Sequence, residues 1–171
     1  SAIIAGYAQC GQNHEALLCY EHMEREGHSP NDVTFICILK AIGCTGAMDK
    51  GKKIHNEIIS NGLLENNISL GNALVDMYAK CGALEKAQQV HEKLQVRNVV
   101  SWNVLIAGYS QHGQGHGAMN CVAQMQNEGL SLDDITFTSI LKASASVGSI
   151  EEGKQIHHSI ASRDAVKKNV I

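Results

Sequence analysis

Gly6-Tyr7-Ala8-Gln9-Cys10-Gly11-Gln12 returns 102 residues later as Gly108-Tyr109-Ser110-Gln111-His112-Gly113-Gln114. The same offset carries Asp32-Val33-Thr34-Phe35 onto Asp134-Ile135-Thr136-Phe137, and Gly51-Lys52-Lys53-Ile54-His55 onto Gly153-Lys154-Gln155-Ile156-His157. Three matches held in one register across the chain are the mark of an internal repeat. A shorter theme lies inside the long one: Asn72-Ala73-Leu74-Val75-Asp76-Met77-Tyr78-Ala79-Lys80-Cys81-Gly82 is similar to Asn103 to Gly113, with Tyr78 and Tyr109 separated by 31. The superperiod therefore divides into unequal units: 1–31 (truncated), 32–67, 68–98, 99–133 and 134–169.

Each unit reads as two helices around a glycine-containing turn. In the third, Leu70, Leu74, Met77 and Tyr78 line one face of a first helix, and Leu84, Ala87, Val90, His91 and Leu94 line one face of a second. The fourth repeats this with Trp102, Leu105, Ile106 and Tyr109, then Ala118, Val122 and Met125. The run Gly113-Gln114-Gly115-His116-Gly117 lacks the preceding strand and the following Gly-Lys-Ser/Thr of a phosphate loop, and is expected to be a flexible inter-helix turn. A helix of about 12 residues is only about 18 Å long, so a pair cannot bury its own apolar face and must stack on its neighbours. The expected fold is all-α: a right-handed α-solenoid superhelix of stacked helix-turn-helix repeats.

Composition agrees with that reading. Apolar residues make up 44% of the chain but aromatics only 4%, with one proline, which favours many small, similar helix contacts over one aromatic core. No leader-like stretch opens the chain and no apolar run is long enough to cross a bilayer, so no membrane partner is expected. The net charge of −3 is not that of a protein gripping nucleic acid mainly by its phosphates. Six cysteines without a C-x-x-C pair read as reduced core thiols of an intracellular protein.

These units resemble the pentatricopeptide repeat family, specifically its plant subclass that cycles P, L and S repeats. Asn72 to Gly82 resembles an S repeat, Ser101-Trp102-Asn103-Val104-Leu105-Ile106-Ala107-Gly108-Tyr109 a P repeat, and the segments ending at His55 and His157 L repeats. The register also predicts a piece of a longer array. The resemblance implies sequence-selective binding of single-stranded RNA, about one base per repeat, as the recognition module of an organellar RNA-processing or RNA-editing factor in mitochondrion or chloroplast. It implies no enzymatic activity and no cofactor for this segment.

One position of each first helix is occupied by Ser1, Ile36, Asn72, Asn103 and Thr138, and each unit ends on Asn31, Asn67, Asn98, Asp133 or Asn169. Short polar groups suit hydrogen bonding to the edges of unstacked bases; Asn and Asp at such places serve equally as helix caps or turn formers. In the resembled family the two positions together select the base. Ser1 with Asn31 then implies adenine, Asn72 with Asn98 a pyrimidine, Asn103 with Asp133 uracil, and Thr138 with Asn169 a weak preference for adenine. Ile36 has no side-chain hydrogen bond to offer, so its unit would act as a spacer.

Val33, Val100 and Ile135 stand three residues before Ile36, Asn103 and Thr138. The resemblance assigns that position to sandwiching bases; packing between neighbouring units would use the same residues. It also assigns Lys80 to phosphate, and implies contact of L repeats with organellar RNA editing accessory proteins. Truncated end faces would favour self-association.

Other chemistry is disfavoured. Nine histidines include His112, His116, His157 and His158, but neither a cysteine pair nor a compact set of four ligands marks a zinc site. No H-x-E with paired cysteines marks a deaminase. A protein-binding helical-repeat scaffold is the alternative reading, and the acidic net charge fits it.

Overall fold

The computed structural model describes residues 2–65 and 67–147. Ser1, Asn169, the segment 153–158 and the lysine-containing stretch 163–168 lie outside the described residues. Within them all regular structure is helical: α1 (Ala2–Gln9), α2 (Asn13–Arg25), α3 (Asp32–Thr45), α4 (Met48–Ser60), α5 (Ile68–Lys80), α6 (Leu84–Glu92), α7 (Val99–Gln111), α8 (Gly115–Asn127) and α9 (Asp134–Val147). The helices α3, α5, α7 and α9 start at residues 32, 68, 99 and 134, where the sequence units start.

The turn inside each pair has one recurring geometry. Gly11, Gly46, Gly82 and Gly113 all adopt left-handed φ, between +69° and +79°. The amide that follows the glycine then reaches back: Gln12 N–H donates to Tyr7 C=O, Ala83 to Tyr78 and Gln114 to Tyr109, each at 2.9 Å. This six-to-one bond satisfies a carbonyl that a helix end otherwise leaves open. The spacing Tyr-x-x-x-Gly in the quoted motif is thus the spacing of a C-terminal cap. Between units, Gly27, Gly62 and Gly129 do the same, and the third unit, which lacks such a glycine, has the short α6 of nine residues.

The chain forms two compact units, one ending at Arg97 and one beginning at Asn98. In the first, α3 packs against α1, α2, α4 and α5, and α5 packs against α3, α4 and α6. Among the described residues the backbones of α2, α4 and α6 pack closely against first helices only, with long side chains bridging α2 and α4, so first and second helices form two layers. The core sits between them: Phe35, Ile38, Leu39 and Ile42 on α3 and Leu70, Leu74, Val75 and Met77 on α5 are fully buried. Full burial of each such side chain stabilises by roughly 1.5–3 kcal/mol. In the second unit α7 packs on both α8 and α9, burying Trp102, Leu105, Ile106 and Tyr109.

Two expectations change. Gly115 and Gly117 are not turn residues but belong to α8; a Cβ at Gly117 would lie 2.4 Å from Cδ1 of Tyr109, so glycine there admits the ring. The cysteines are free, but Cys10 and Cys44 are exposed and only Cys121 is buried, so core packing accounts for one of them. Cys10 and Cys44 fall at or near first-helix ends, where the stripe facing the core has already ended.

Candidate nucleic-acid interface

The unit-ending residues that are described all cap the next first helix. Asn31 accepts from the Thr34 amide at 2.9 Å, Asn67 from Leu70 at 3.0 Å, and Asn98 from Ser101 at 3.0 Å. Asp133 accepts from Thr136 at 2.8 Å. At Asn98 the cap is reciprocal, since the Asn98 amide donates to the Ser101 hydroxyl at 2.9 Å. Each bond satisfies an amide that the first turn of a helix leaves without an internal partner. Capping uses the side-chain oxygen, which leaves the amide nitrogen of each asparagine for a second partner.

In the fourth unit that second layer of bonding is complete. Asn103, 6% exposed on α7, donates Nδ2 to Asp133 Oδ1 at 2.9 Å and Oδ2 at 3.0 Å. The Thr136 hydroxyl, with one proton to give, lies 2.6 Å from Asn103 Oδ1 and 2.8 Å from Asp133 Oδ1. Partial burial pushes the Asp133 carboxyl up, but the backbone and hydroxyl bonds of Thr136, the amide of Asn103 and the backbone of Ile135 outweigh it and hold the group below its ordinary value. Asp133 is therefore an anion fixed in orientation by its cap.

The other first-helix positions differ. Asn72 is half-buried, and its Oδ1 is buried without a hydrogen-bond partner. Ile36 offers nothing polar, and Asn67 turns its Nδ2 to Asp32 Oδ2 at 2.7 Å instead. Thr138 is exposed and bonds back to the Asp134 carbonyl at 2.8 Å.

Val33, Val100 and Ile135 are each the second residue of a first helix and stand 56%, 57% and 63% exposed. They are therefore not consumed by packing within either unit. Lys80 is held by Asp76 one turn earlier, Nζ to Oδ2 2.7 Å. Sequence reasoning missed Thr136, the hydroxyl that joins cap to neighbour; its signal was present in the repeated Asp-x-Thr-Phe of residues 32–35 and 134–137.

The PPR repeat family matches residues 1–44 and 97–146, and the PPR repeat matches residues 72–99. The chain belongs to the PPR repeat family. A pentatricopeptide repeat-containing protein of Arabidopsis thaliana is 36% identical over 170 residues, which is 99% of this chain and 21% of that protein. The A. thaliana pentatricopeptide repeat-containing protein CRR2, chloroplastic, is 38% identical over 172 residues, 99% of this chain and 26% of that one. This PPR chain thus spans about a quarter or less of two long relatives.

Among solved structures, the pentatricopeptide repeat protein PPR10 in complex with an 18-nt psaJ RNA element superposes with a TM-score of 0.75 at 19% identity, covering 90% of this chain and 23% of that one. The PPR domain of A. thaliana protein-only RNase P 1 in complex with tRNA gives 0.70 at 15% identity, covering 96% and 88%. The shared fold is the PPR α-solenoid.

Proposed function

We propose that this PPR chain binds single-stranded RNA sequence-selectively, reading about one base per repeat as a non-catalytic recognition module. The observation that carries the reading is the Asn103–Asp133 pair, a polar group of one first helix oriented by the cap of the next and flanked by the exposed Val100 and Ile135. A planar base inserted between two such aliphatic side chains would present its edge to the pair. The orphan acceptor of Asn72 supports the same role one unit earlier, where the N–H of a pyrimidine would satisfy it.

The unit lengths and motifs support the P, L, S subclass, with residues 32–67 and 134–169 as L units, 68–98 as S, and 1–31 and 99–133 as P. The proposed footprint is adenine from Ser1 with Asn31, any base at the Ile36 unit, a pyrimidine from Asn72 with Asn98, uracil from Asn103 with Asp133, and a weak preference for adenine from Thr138 with Asn169. Residence in a mitochondrion or chloroplast and a part in RNA editing, with accessory proteins on L units, belong to the same proposal; relatives named chloroplastic support the compartment. Lys80 would contact phosphate by exchanging Asp76 for it.

The test is fluorescence anisotropy with labelled RNA carrying uracil or guanine opposite the fourth unit, for wild type and Asn103→Thr. A uracil preference that shifts towards guanine in the variant supports the reading. Binding without discrimination by either protein refutes the base-reading role of the pair.

A further inference from the structure

The two grooves between successive second helices of the first unit are repeat equivalents with opposite electrostatics. A shift of 35 carries α2 onto α4 and a shift of 36 carries α4 onto α6, as Gly11, Gly46 and Gly82 show. In the groove between α2 and α4, Tyr20 Oη donates to Glu57 Oε2 at 3.2 Å and Lys50 pairs with Glu21 at 2.5 Å. Three carboxylates, Glu21, Glu24 and Glu57, there face two lysines, Lys50 and Lys53. In that groove Tyr20 and Lys50 each have a carboxylate partner.

The groove between α4 and α6 is lined by two lysines and no acid, although Gln89 stands where Lys53 stood. Lys86 stands where Lys50 stood, yet the counterpart of its partner Glu21 is Asn56. Ile59 replaces Glu24, and Lys93 replaces Glu57. Lys86 Nζ has Gln89 Oε1 at 3.3 Å, and among the described residues no carboxylate pairs with Lys86 or Lys93, whereas Lys50, the counterpart of Lys86, pairs with Glu21. Both lysines line the groove with His55, whose imidazole is turned to Tyr78, Nδ1 to Oη 2.9 Å. The floor is aliphatic: Ile59, 54% exposed, with Leu64, Val90 and Leu94.

We propose that the groove between α4 and α6 docks an acidic, aliphatic segment of a partner protein, its carboxylates pairing with Lys86 and Lys93 and its aliphatic side chains covering Ile59. Charge complementarity selects the occupant, because two unpaired lysines over an apolar floor attract an anion that also brings apolar surface. RNA phosphates would satisfy the lysines but leave Ile59 and Leu64 wet. The groove lies in the second-helix layer, whereas the proposed base-reading residues lie on first helices and their caps. One protein partner and one RNA could therefore occupy the first unit without sharing residues.

The net charge of −3 makes the test sharp, since the chain as a whole repels an acidic probe. Anisotropy would be measured on the full 171-residue chain with a fluorescein-labelled peptide of alternating glutamate and leucine, and with the same peptide carrying lysine for glutamate. The glutamate peptide should bind about ten-fold or more tightly than the lysine peptide. That preference should vanish in Lys86→Gln/Lys93→Gln, weaken in Ile59→Ser and persist in Lys52→Gln. All four positions are exposed, so far-UV circular dichroism should be unchanged. Equal binding of the two peptides by wild type, or a preference that survives the double substitution, overturns the proposal. So does a double variant that loses affinity for a single-stranded RNA while wild type ignores the glutamate peptide, which would make the groove a phosphate contact.

Discussion

Asn103 on α7 and Asp133 at the start of α9 are joined through one amide nitrogen that reaches both carboxylate oxygens, at 2.9 and 3.0 Å. The same carboxylate caps α9 through Thr136, so a single residue ends one repeat, starts the next and orients the polar group between them. Asp133→Ala removes the cap and leaves the Asn103 amide without its acceptor, and should cost about 1–3 kcal/mol of unfolding free energy by urea titration. Asp133→Asn keeps a capping oxygen and should cost less. Equal losses in the two variants would show that the carboxylate acts by charge alone.

That carboxylate also gives the second unit an acid-sensitive joint. Burial raises the Asp133 carboxyl, but the bonds from Thr136, Asn103 and Ile135 lower it further, so its folded-state value lies below the unfolded one. A carboxyl so depressed binds fewer protons folded than unfolded. Its contribution is complete above about pH 4, the ordinary aspartate value, and is lost as the pH falls through the lowered value. The stability difference between wild type and Asp133→Asn should be constant from neutral pH to about 5 and shrink below about 4. Urea midpoints over that range measure it, and a difference that grows on acidification would contradict the bonding described.

His55 carries the complementary test on the first unit. Burial lowers its imidazole, and the charges of Lys86 and Lys93 lower it further. A histidine depressed in the folded state stabilises fully above the unfolded value near 6.5 and loses that contribution as the pH falls through the lowered one. Proton NMR should find His55 titrating below an ordinary histidine. Lys86→Gln/Lys93→Gln should raise the midpoint without restoring it fully, because burial is the larger cause.

Much of this is legible in the sequence. Tyr78 to Gly82 announced a helix end because a cap has fixed spacing, and Leu70, Leu74 and Met77 announced a buried face because burial follows the 3.6-residue period. What composition and period do not carry is side-chain direction. Thr136 was visible only as an apparently ordinary repeat residue, yet its hydroxyl completes the Asn103–Asp133 link. Gly115 and Gly117 looked like loop, since glycine is a poor helix former; the contact of Tyr109 with Gly117 is a tertiary demand that overrides that propensity.

Gly82 and Gly6 separate two uses of glycine in one fold. Gly82 has φ +79°, where a side chain meets the following carbonyl, so Gly82→Ala should destabilise by about 1–2 kcal/mol. Gly6 lies inside α1 with nothing within 4 Å of an added Cβ, so Gly6→Ala should stabilise by up to about 1 kcal/mol. Thermal melts of the two variants should shift in opposite directions.

The exposed aliphatic pair Val100 and Ile135 distinguishes base contact from packing. Were they packing residues, polar replacement would unfold the helices they start; at 57% and 63% exposure they hold little of the core. Val100→Ser and Ile135→Ser should each change unfolding free energy by no more than about 0.5 kcal/mol. If they sandwich a base, each should weaken RNA binding by an amount comparable with loss of one stacking contact, about 1–3 kcal/mol or roughly 5- to 150-fold in Kd. The measurement is paired, urea unfolding and RNA anisotropy on the same preparations. A loss of affinity with stability intact assigns these side chains to the RNA. Affinity unchanged in both variants removes the aliphatic clamp and leaves the Asn103–Asp133 pair to read a base that is held by other means.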